Sequence, residues 1–292
     1  LKKDNLQDNL RFLKLVEKRL SRPGILSPAN EAEDLVRHFA RMDRISFFTG
    51  RGRVSSEAKE SVQQTLRKRL EGMPLSYLLN EAHFFGRKFF VNANVLIPRP
   101  ETEILAEETL KTLDRHYPSG SNTTRVLDIG TGSGCLAVSV SLQRPDCDIT
   151  GLDICDRALD VARKNAARHG RQDKIRFIKS DLFGALKKMA VWDIIITNPP
   201  YIADREIASL SREVRSEPRR ALSGGADGLE IITAILELAP KYLKQGGFLL
   251  MEIGKGQSGV LRRRWSAWKE YKHLSFVKDL TGIERVLTVQ KR

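Results

Sequence analysis

Three features of the 292-residue sequence predict an α/β fold, in which a parallel sheet ends in an antiparallel hairpin and follows a small helical module. Up to about position 75 the apolar residues recur at helical spacing, with no strand-like alternation. Downstream, short β-rich runs alternate with helical patterns, and Arg125 to Ile129 runs through a glycine-rich turn straight into a helix. The last two strand-like runs, His273 to Leu280 and Arg285 to Gln290, are joined only by Thr281-Gly282-Ile283-Glu284. A parallel crossover needs a dozen or more residues, so this final pair must be antiparallel.

In the N-terminal module, Leu10, Leu13, Val16 and Leu20 mark one helical stripe. Leu35, Val36, Phe39 and Ala40 mark a second, and Val62, Leu66 and Leu70 a third. Gly72-Met73-Pro74 should end the last helix, because glycine and proline both oppose its continuation. Residues 1–75 are therefore expected to be helical, 76–100 to be a connector built on a hairpin over 80–97, and 101–292 to form the α/β domain. No internal repeat, low-complexity tract or long linker interrupts this order.

The strand Arg125-Val126-Leu127-Asp128-Ile129 leads into Gly130-Thr131-Gly132-Ser133-Gly134, and a helical apolar pattern begins at Cys135. Strand, glycine turn and helix open a nucleotide-type βαβ unit, where missing Cβ atoms let a ligand approach the backbone. The G-x-G-x-G spacing differs from the G-x-G-x-x-G of NAD and FAD sites, and no Lys-Ser/Thr pair follows as a phosphate loop requires. The next strand, Ile149 to Ile154, carries Asp153, 19 residues past Gly134. That is about where such folds place a carboxylate for two ribose hydroxyls. A strand-end carboxylate can also be merely solvated; the glycine loop in front of it favours ribose.

A buried run from Trp192 to Thr197 ends in Asn198-Pro199-Pro200-Tyr201. The prolines fix φ and contribute no N–H, so the backbone leaves the sheet as a stiff, extended corner. The Asn198 side-chain oxygen and the Pro199 carbonyl remain as two acceptors beside a Tyr ring. Such a pair suits a planar –NH₂ group, both of whose donors need partners when buried. The plain alternative is a strand-terminating turn with a surface Tyr, since Asn-Pro is ordinary turn chemistry.

With these elements the chain resembles class I S-adenosylmethionine-dependent methyltransferases. More narrowly, it is similar to the family that methylates the glutamine amide of peptide chain release factors. Beyond the glycine loop and the NPPY corner, the resemblance rests on Phe84-Phe85-Gly86 through Phe89 and Val91 to Leu96-Ile97-Pro98-Arg99-Pro100-Glu101-Thr102-Glu103. It also rests on Pro218 with Ala221-Leu222-Ser223-Gly224-Gly225-Ala226-Asp227-Gly228-Leu229, and on Glu252-Ile253-Gly254 with Gln257. It spans roughly residues 73–292. NPPY alone is shared with amino-methyltransferases of DNA and RNA; its combination with IPRPETE is far more specific. Asn80 departs from the family, which more often has Gly before the Glu; Asn tolerates a left-handed turn, so the turn should survive.

The resemblance implies a seven-stranded, mostly parallel sheet with an antiparallel last strand, and S-adenosylmethionine as cofactor. It implies class I release factors as protein substrates, methylated in a Gly-Gly-Gln loop and docked through residues 1–75. Backbone N–H groups of Gly130, Thr131, Gly132, Ser133 and Gly134 would meet the methionine carboxylate at a helix N-terminus, and Asp153 the ribose. Asp181 and Leu182 would border the adenine, although Asp181 equally suits the N-cap of a following helix. Asn198, Pro199 and Tyr201 would be catalytic, Asn198 also bordering the cofactor, and together with Pro200 they would hold the substrate amide, with Tyr201 packed on its plane. Arg99, fixed between Pro98 and Pro100, is a candidate for the substrate site or for a structural ion pair. Glu101 and Glu103 read as first-turn acids facing a helix dipole.

The formal charge of +14, from 50 basic and 36 acidic residues, favours encounter with polyanions or acidic proteins. Its clusters, Arg67-Lys68-Arg69, Arg219-Arg220 and Arg262-Arg263-Arg264, lack aromatic interleaving and read as solvated faces. Direct nucleic-acid binding is not required, while proximity to a ribosome stays open. Cys135, Cys147 and Cys155 form no C-x-x-C pair, and the five His residues are scattered, so no metal site is expected. No stretch has the length of a membrane span, and a bacterial cytoplasmic protein is expected, with an organellar homologue left open. The chain opens on Leu1, and an initiator Met or longer leader can precede it. Two other functions compete: methylation of a flipped-out adenine or guanine amino group in DNA or RNA, and an idle binding module that kept the fold.

Overall fold

The computed structural model describes residues 2–22, 24–120, 123–187 and 191–292. These form two compact units: the N-terminal residues up to Glu81 together with Ser211–Ser216, and Ala82–Leu210 with Glu217–Arg292.

The first unit is helical, with helices Lys2–Leu20, Pro28–Ala40, Arg44–Phe48, Ser56–Leu70 and Leu75–Leu79. Its core is Phe12, Val16 and Leu20 against Leu35, Val36, Phe47, Val62 and Leu66. Phe12 leads the first stripe, at positions i, i+4 and i+8, and Leu13 packs at its edge. The helix over 56–70 stops where Gly72 and Pro74 predict, and Asn80 takes the expected left-handed conformation at φ 51°. Arg69 is not solvated: only 2% of its side chain is exposed, and it pairs with Glu31 and with Glu213 at 2.6 Å each. Glu213 lies on the short helix Arg212–Arg215, which explains why Ser211–Ser216 belongs to this unit.

The second unit opens with a two-stranded antiparallel pair, β1 (Ala82–Phe84) and β2 (Arg87–Phe89). The antiparallel pairing stops at Phe89, and residues 90–99 carry no regular element. A seven-stranded sheet follows, made of β3 (Arg125–Ile129), β4 (Asp148–Asp153), β5 (Ile175–Lys179), β6 (Trp192–Thr197), β7 (Leu243–Glu252), β8 (Tyr271–Lys278) and β9 (Glu284–Lys291). Its order is β5-β4-β3-β6-β7-β9-β8. The strands from β3 to β7 pair in parallel, while β9 runs antiparallel to both β7 and β8. This is the sheet and closing hairpin that the sequence predicts.

Period-two alternation sends neighbouring residues to opposite faces. Val126, Ile194, Ile196 and Leu250 pack under Leu105 and Leu113 of helix Pro100–His116 and Leu136 and Val140 of helix Cys135–Gln143. Leu127, Ile195, Leu249 and Met251 pack against Ile232, Ile235 and Leu236 of helix Glu230–Leu238. Both faces are thus covered, and β6 is buried along its whole length. From β3 the chain builds outward through β4 to β5, then returns to place β6 and β7 on the other side. The order reverses between β3 and β6, and open α/β sheets bind ligands beyond the strand ends at such a reversal.

Candidate active site

A cavity of about 730 Å³ lies beyond the C-terminal ends of β3, β4, β5 and β6. That volume is in the range of small-molecule sites. Gly130, Thr131, Gly132, Ser133, Asp153, Asp181, Leu182, Asn198, Pro199, Pro200 and Arg99 all line it. The strand register explains the convergence: Ile129 pairs with Thr197 across β3 and β6, so the glycine loop and the NPPY corner leave the sheet side by side. The Thr197 hydroxyl donates to the Ile129 carbonyl at 2.8 Å and ties the two ends together.

The glycine loop is closed by its own hydrogen bonds. The N–H of Thr131 donates to Leu152 O at 2.8 Å, that of Gly134 to Thr131 O at 2.8 Å, and that of Gly132 to Asp153 Oδ2 at 2.9 Å. Three of the five N–H groups expected to meet an anion are therefore already engaged, and the following helix, Cys135–Gln143, is left as the main positive end. Gly134 is not on the cavity wall. At φ +77° it lets the loop pack on the neighbouring helix, where an added Cβ would sit 3.1 Å from Ala162 Cα.

Asp153 stands on the wall with both oxygens partly engaged, Oδ2 by Gly132 N and Oδ1 by Cys155 N, each at 2.9 Å. Burial raises its pKa; these two N–H groups and the charge of Arg220 oppose the rise. Beneath the loop, Asp128 is fully buried, accepts from the Thr131 hydroxyl at 2.6 Å, and is pushed up to about 7 by burial. Asp181 is no helix cap. The segment after it is a turn, Asp181 uses its backbone carbonyl to accept from Gly184 N, and the Ser180 hydroxyl takes Ala185 N at 3.0 Å. The Asp181 side chain stays exposed at the cavity, beside Leu182.

Arg99 lines the cavity and also makes the structural ion pair, with Glu217. Glu217 also accepts from Ile97 N at 3.0 Å, which fastens the Ile97 to Arg99 segment to the segment that continues into Pro218, Arg219 and Arg220, all three of which line the cavity too. Arg219 and Arg220 are exposed, as expected, and also line the cavity. Glu103 does more than face a helix dipole: it accepts from Phe85 N at 2.8 Å and so braces the β1–β2 turn.

The expected placement of Tyr201 on the substrate amide is not what the structure shows. Tyr201 is absent from the cavity wall; its ring packs against the core beneath β6 and β7, and its hydroxyl donates to Glu252 at 3.1 Å. Glu252 sits at the end of β7 and also accepts from the Thr102 hydroxyl at 2.6 Å. Thr102 in turn accepts from Asn198 Nδ2 at 2.9 Å.

The remaining quoted motifs form a buttress behind the corner. Ile202 pairs with Ser223 in a parallel bridge, and Gly224 N donates to Ile202 O at 2.9 Å. Gln257 uses its whole amide: Nε2 donates to the carbonyls of Tyr201 and Gly228 at 2.9 and 3.0 Å, and Oε1 accepts from Gly254 N at 2.7 Å. Gly228, at φ +77°, must be glycine, because a Cβ there would lie 2.4 Å from Tyr201 O. Thr102, Glu217, Glu252 and Gln257 were not assigned roles from sequence. Thr102, Glu252 and Gln257 lie inside the quoted motifs and Glu217 one residue before Pro218, but nothing local shows that residues 96 to 150 positions apart share one hydrogen-bond chain.

Residues 102–226 match the Methyltransferase small domain family, and residues 11–79 match the PrmC N-terminal domain. The release factor glutamine methyltransferase of Rhodopirellula baltica is 36% identical over 97% of this chain and 96% of its own length. Those of Chlorobaculum tepidum and Thermodesulfovibrio yellowstonii are 38% and 35% identical, over 93% and 89% of this chain and 92% of each relative. Among solved structures, the hMettl16 catalytic domain bound to a MAT2A 3'UTR hairpin aligns with a TM-score of 0.55 at 17% identity, over 82% of this chain and 84% of that one. A methyltransferase from Pyrococcus furiosus aligns at 0.51 and 18%, over 79% of this chain and 98% of that one. At these identities the two structures show a shared fold.

Proposed function

The chain belongs to the release factor glutamine methyltransferase family, and from that premise we propose that it methylates the side-chain amide nitrogen of the glutamine in the Gly-Gly-Gln loop of a release factor, with S-adenosylmethionine as donor. The observation that carries this is the state of Asn198. Its Nδ2 is engaged by Thr102, which leaves Oδ1 as an acceptor, and Asn198 and Pro199 line the same wall.

The cavity fits the donor. It offers Asp153 for a pair of hydroxyls, an exposed carboxylate and an apolar side chain at Asp181 and Leu182 for an amino-purine, and a helix N-terminus for a carboxylate. When bound, S-adenosylmethionine supplies a methyl group activated by its sulfonium. The chain's own residues supply geometry. A carboxamide nitrogen is a poor nucleophile, because its lone pair is delocalised into the carbonyl. Asn198 Oδ1 and Pro199 O can take both of its N–H bonds, aim the lone pair along the transfer axis and stabilise the positive charge that develops on nitrogen. Positioning of this kind contributes about 7–11 kcal/mol in favourable cases. Acceptors aimed at transition-state charge contribute roughly 3–4 more. No general base is needed before transfer, since the proton leaves an already cationic nitrogen.

An amide is common on every protein surface, so discrimination must come from a wider interface, and the helical unit is assigned to docking. Specific interfaces bury on the order of 800 Å² per partner, far more than an amide pocket provides. The test is to incubate the protein with labelled S-adenosylmethionine and purified release factor, either intact or with the loop glutamine changed to Ala. Label on the glutamine, absent from the Ala variant, is expected. Label on nucleic acid, or unchanged labelling of the Ala variant, refutes the proposal.

A further inference from the structure

Thr102 and Glu252 take no part in the chemistry proposed above, yet Thr102 bonds Asn198 at the cavity wall, Glu252 bonds Thr102, and the two are 3% and 1% exposed. We propose that they act as positioning residues, a relay of hydrogen-bond polarity that dictates which end of the Asn198 amide faces the cavity. The proposal rests on the assignment of Asn198 as the acceptor for the substrate amide.

An Asn side chain presents an acceptor at one end and two donors at the other, and the two orientations have nearly the same shape. Only one is productive here. With Nδ2 toward the cavity, donors would face the donors of the substrate –NH₂. A threonine hydroxyl cannot choose between the orientations, because it can accept from Nδ2 or donate to Oδ1. Glu252 makes the choice. An ionised carboxylate only accepts, so the Thr102 proton is committed to Oε2 at 2.6 Å. The Thr102 oxygen is then left to accept, which draws Nδ2 to it at 2.9 Å and turns Oδ1 the other way.

Tyr201 completes the relay, donating to the second carboxylate oxygen at 3.1 Å. Should Glu252 take up a proton, placing it on Oε1 toward the Tyr201 oxygen leaves Oε2 bare and the relay unchanged. This gives the inward-facing Tyr201 a role at a distance from the substrate, and it ties three separate motifs, IPRPETE, NPPY and the end of β7, into one chain of atoms. A carboxylate so fully buried is costly to retain for packing alone.

The test compares Thr102→Val, which keeps the shape but removes the hydroxyl, with Thr102→Ser, which keeps it, using intact release factor. Thr102→Val should lower kcat at least about tenfold, while the Kd for S-adenosylmethionine and the KM for release factor stay within about twofold. Thr102→Ser should restore most of the turnover. In an Asn198→Ala background, Thr102→Val should cost nothing further, because its only route to the reaction is gone. Near-normal kcat in Thr102→Val, or a loss that adds in full to that of Asn198→Ala, overturns the relay while leaving the acceptor assignment standing. Full activity of Asn198→Ala itself overturns the acceptor assignment, and the relay with it.

Discussion

Replacing Asp153 with Ala or Asn tests the cofactor end of the cavity, and the structure sets the expected size of the effect. An ionised carboxylate has about four acceptor sites. Gly132 N and Cys155 N occupy one on each oxygen, at 2.9 Å, which leaves one on each for the two hydroxyls of a ribose. Hydrogen bonds to a charged group contribute roughly 1.5–3 kcal/mol, so Asp153→Ala should weaken S-adenosylmethionine about ten- to a hundredfold. S-adenosylhomocysteine carries the same ribose and should lose the same factor. Asp153→Asn should do little better, because its –NH₂ end cannot accept from a backbone N–H and one loop anchor is lost.

The wild-type affinity should also fall as pH drops into the acid range, where the raised Asp153 pKa brings protonation closer, and Asp153→Asn should show no such limb. Isothermal calorimetry with both ligands reads all of this. An unchanged Kd would remove Asp153 from the site. A loss confined to the sulfonium form would mean that the carboxylate acts on the positive charge and not on the ribose.

Much of this architecture is legible in the sequence because it follows from short-range rules. The run Trp192 to Thr197 is apolar at four of its six positions, as a strand covered on both faces tolerates, and the structure gives the strand the same bounds. Four linking residues force the last hairpin to be antiparallel whatever lies around it. The cavity wall was legible for the same reason, since the residues that leave the parallel strand ends are the ones that converge. What escaped was side-chain direction after the strands end. NPPY says that the chain turns, but whether Tyr201 faces the cavity or Glu252 depends on a carboxylate 51 residues away. Likewise, Arg69 belongs to a basic run, and only the arrival of Glu31, 38 residues upstream, and Glu213, 144 residues downstream, turns it into a buried ion pair.

Three further outcomes are expected. Gly228→Ala should reduce turnover and lower Tm, since a Cβ 2.4 Å from Tyr201 O at φ +77° must displace the corner. The cost should be at least about 1–2 kcal/mol from backbone conformation alone, and wild-type Tm and kcat would refute the buttress. Leu26→Asp combined with Ile45→Asp alters two exposed apolar side chains of the helical unit. It should raise KM for intact release factor but not for a short Gly-Gly-Gln peptide, and equal effects on both would remove these residues from docking.

The last outcome concerns Glu252→Gln, which keeps a carbonyl oxygen for Thr102 and removes the titration. Burial pushes Glu252 up to about 7 although Thr102 and Tyr201 donate to it and Arg285 opposes the rise, with Glu101 adding to it. Between the unfolded value near 4.5 and about 7 the native state holds a proton that the unfolded chain has released, so native stability falls as pH rises through that window and levels off above it. The full difference is about 3 kcal/mol at most. Asp128 is pushed up to about 7 as well and acts in the same direction, so only the difference between wild type and variant isolates Glu252. Denaturant unfolding at pH 5 and pH 8 should show wild type losing more stability than Glu252→Gln over this step. Parallel curves would mean that the carboxylate is ionised throughout, held by its two hydroxyl donors against the pull of burial.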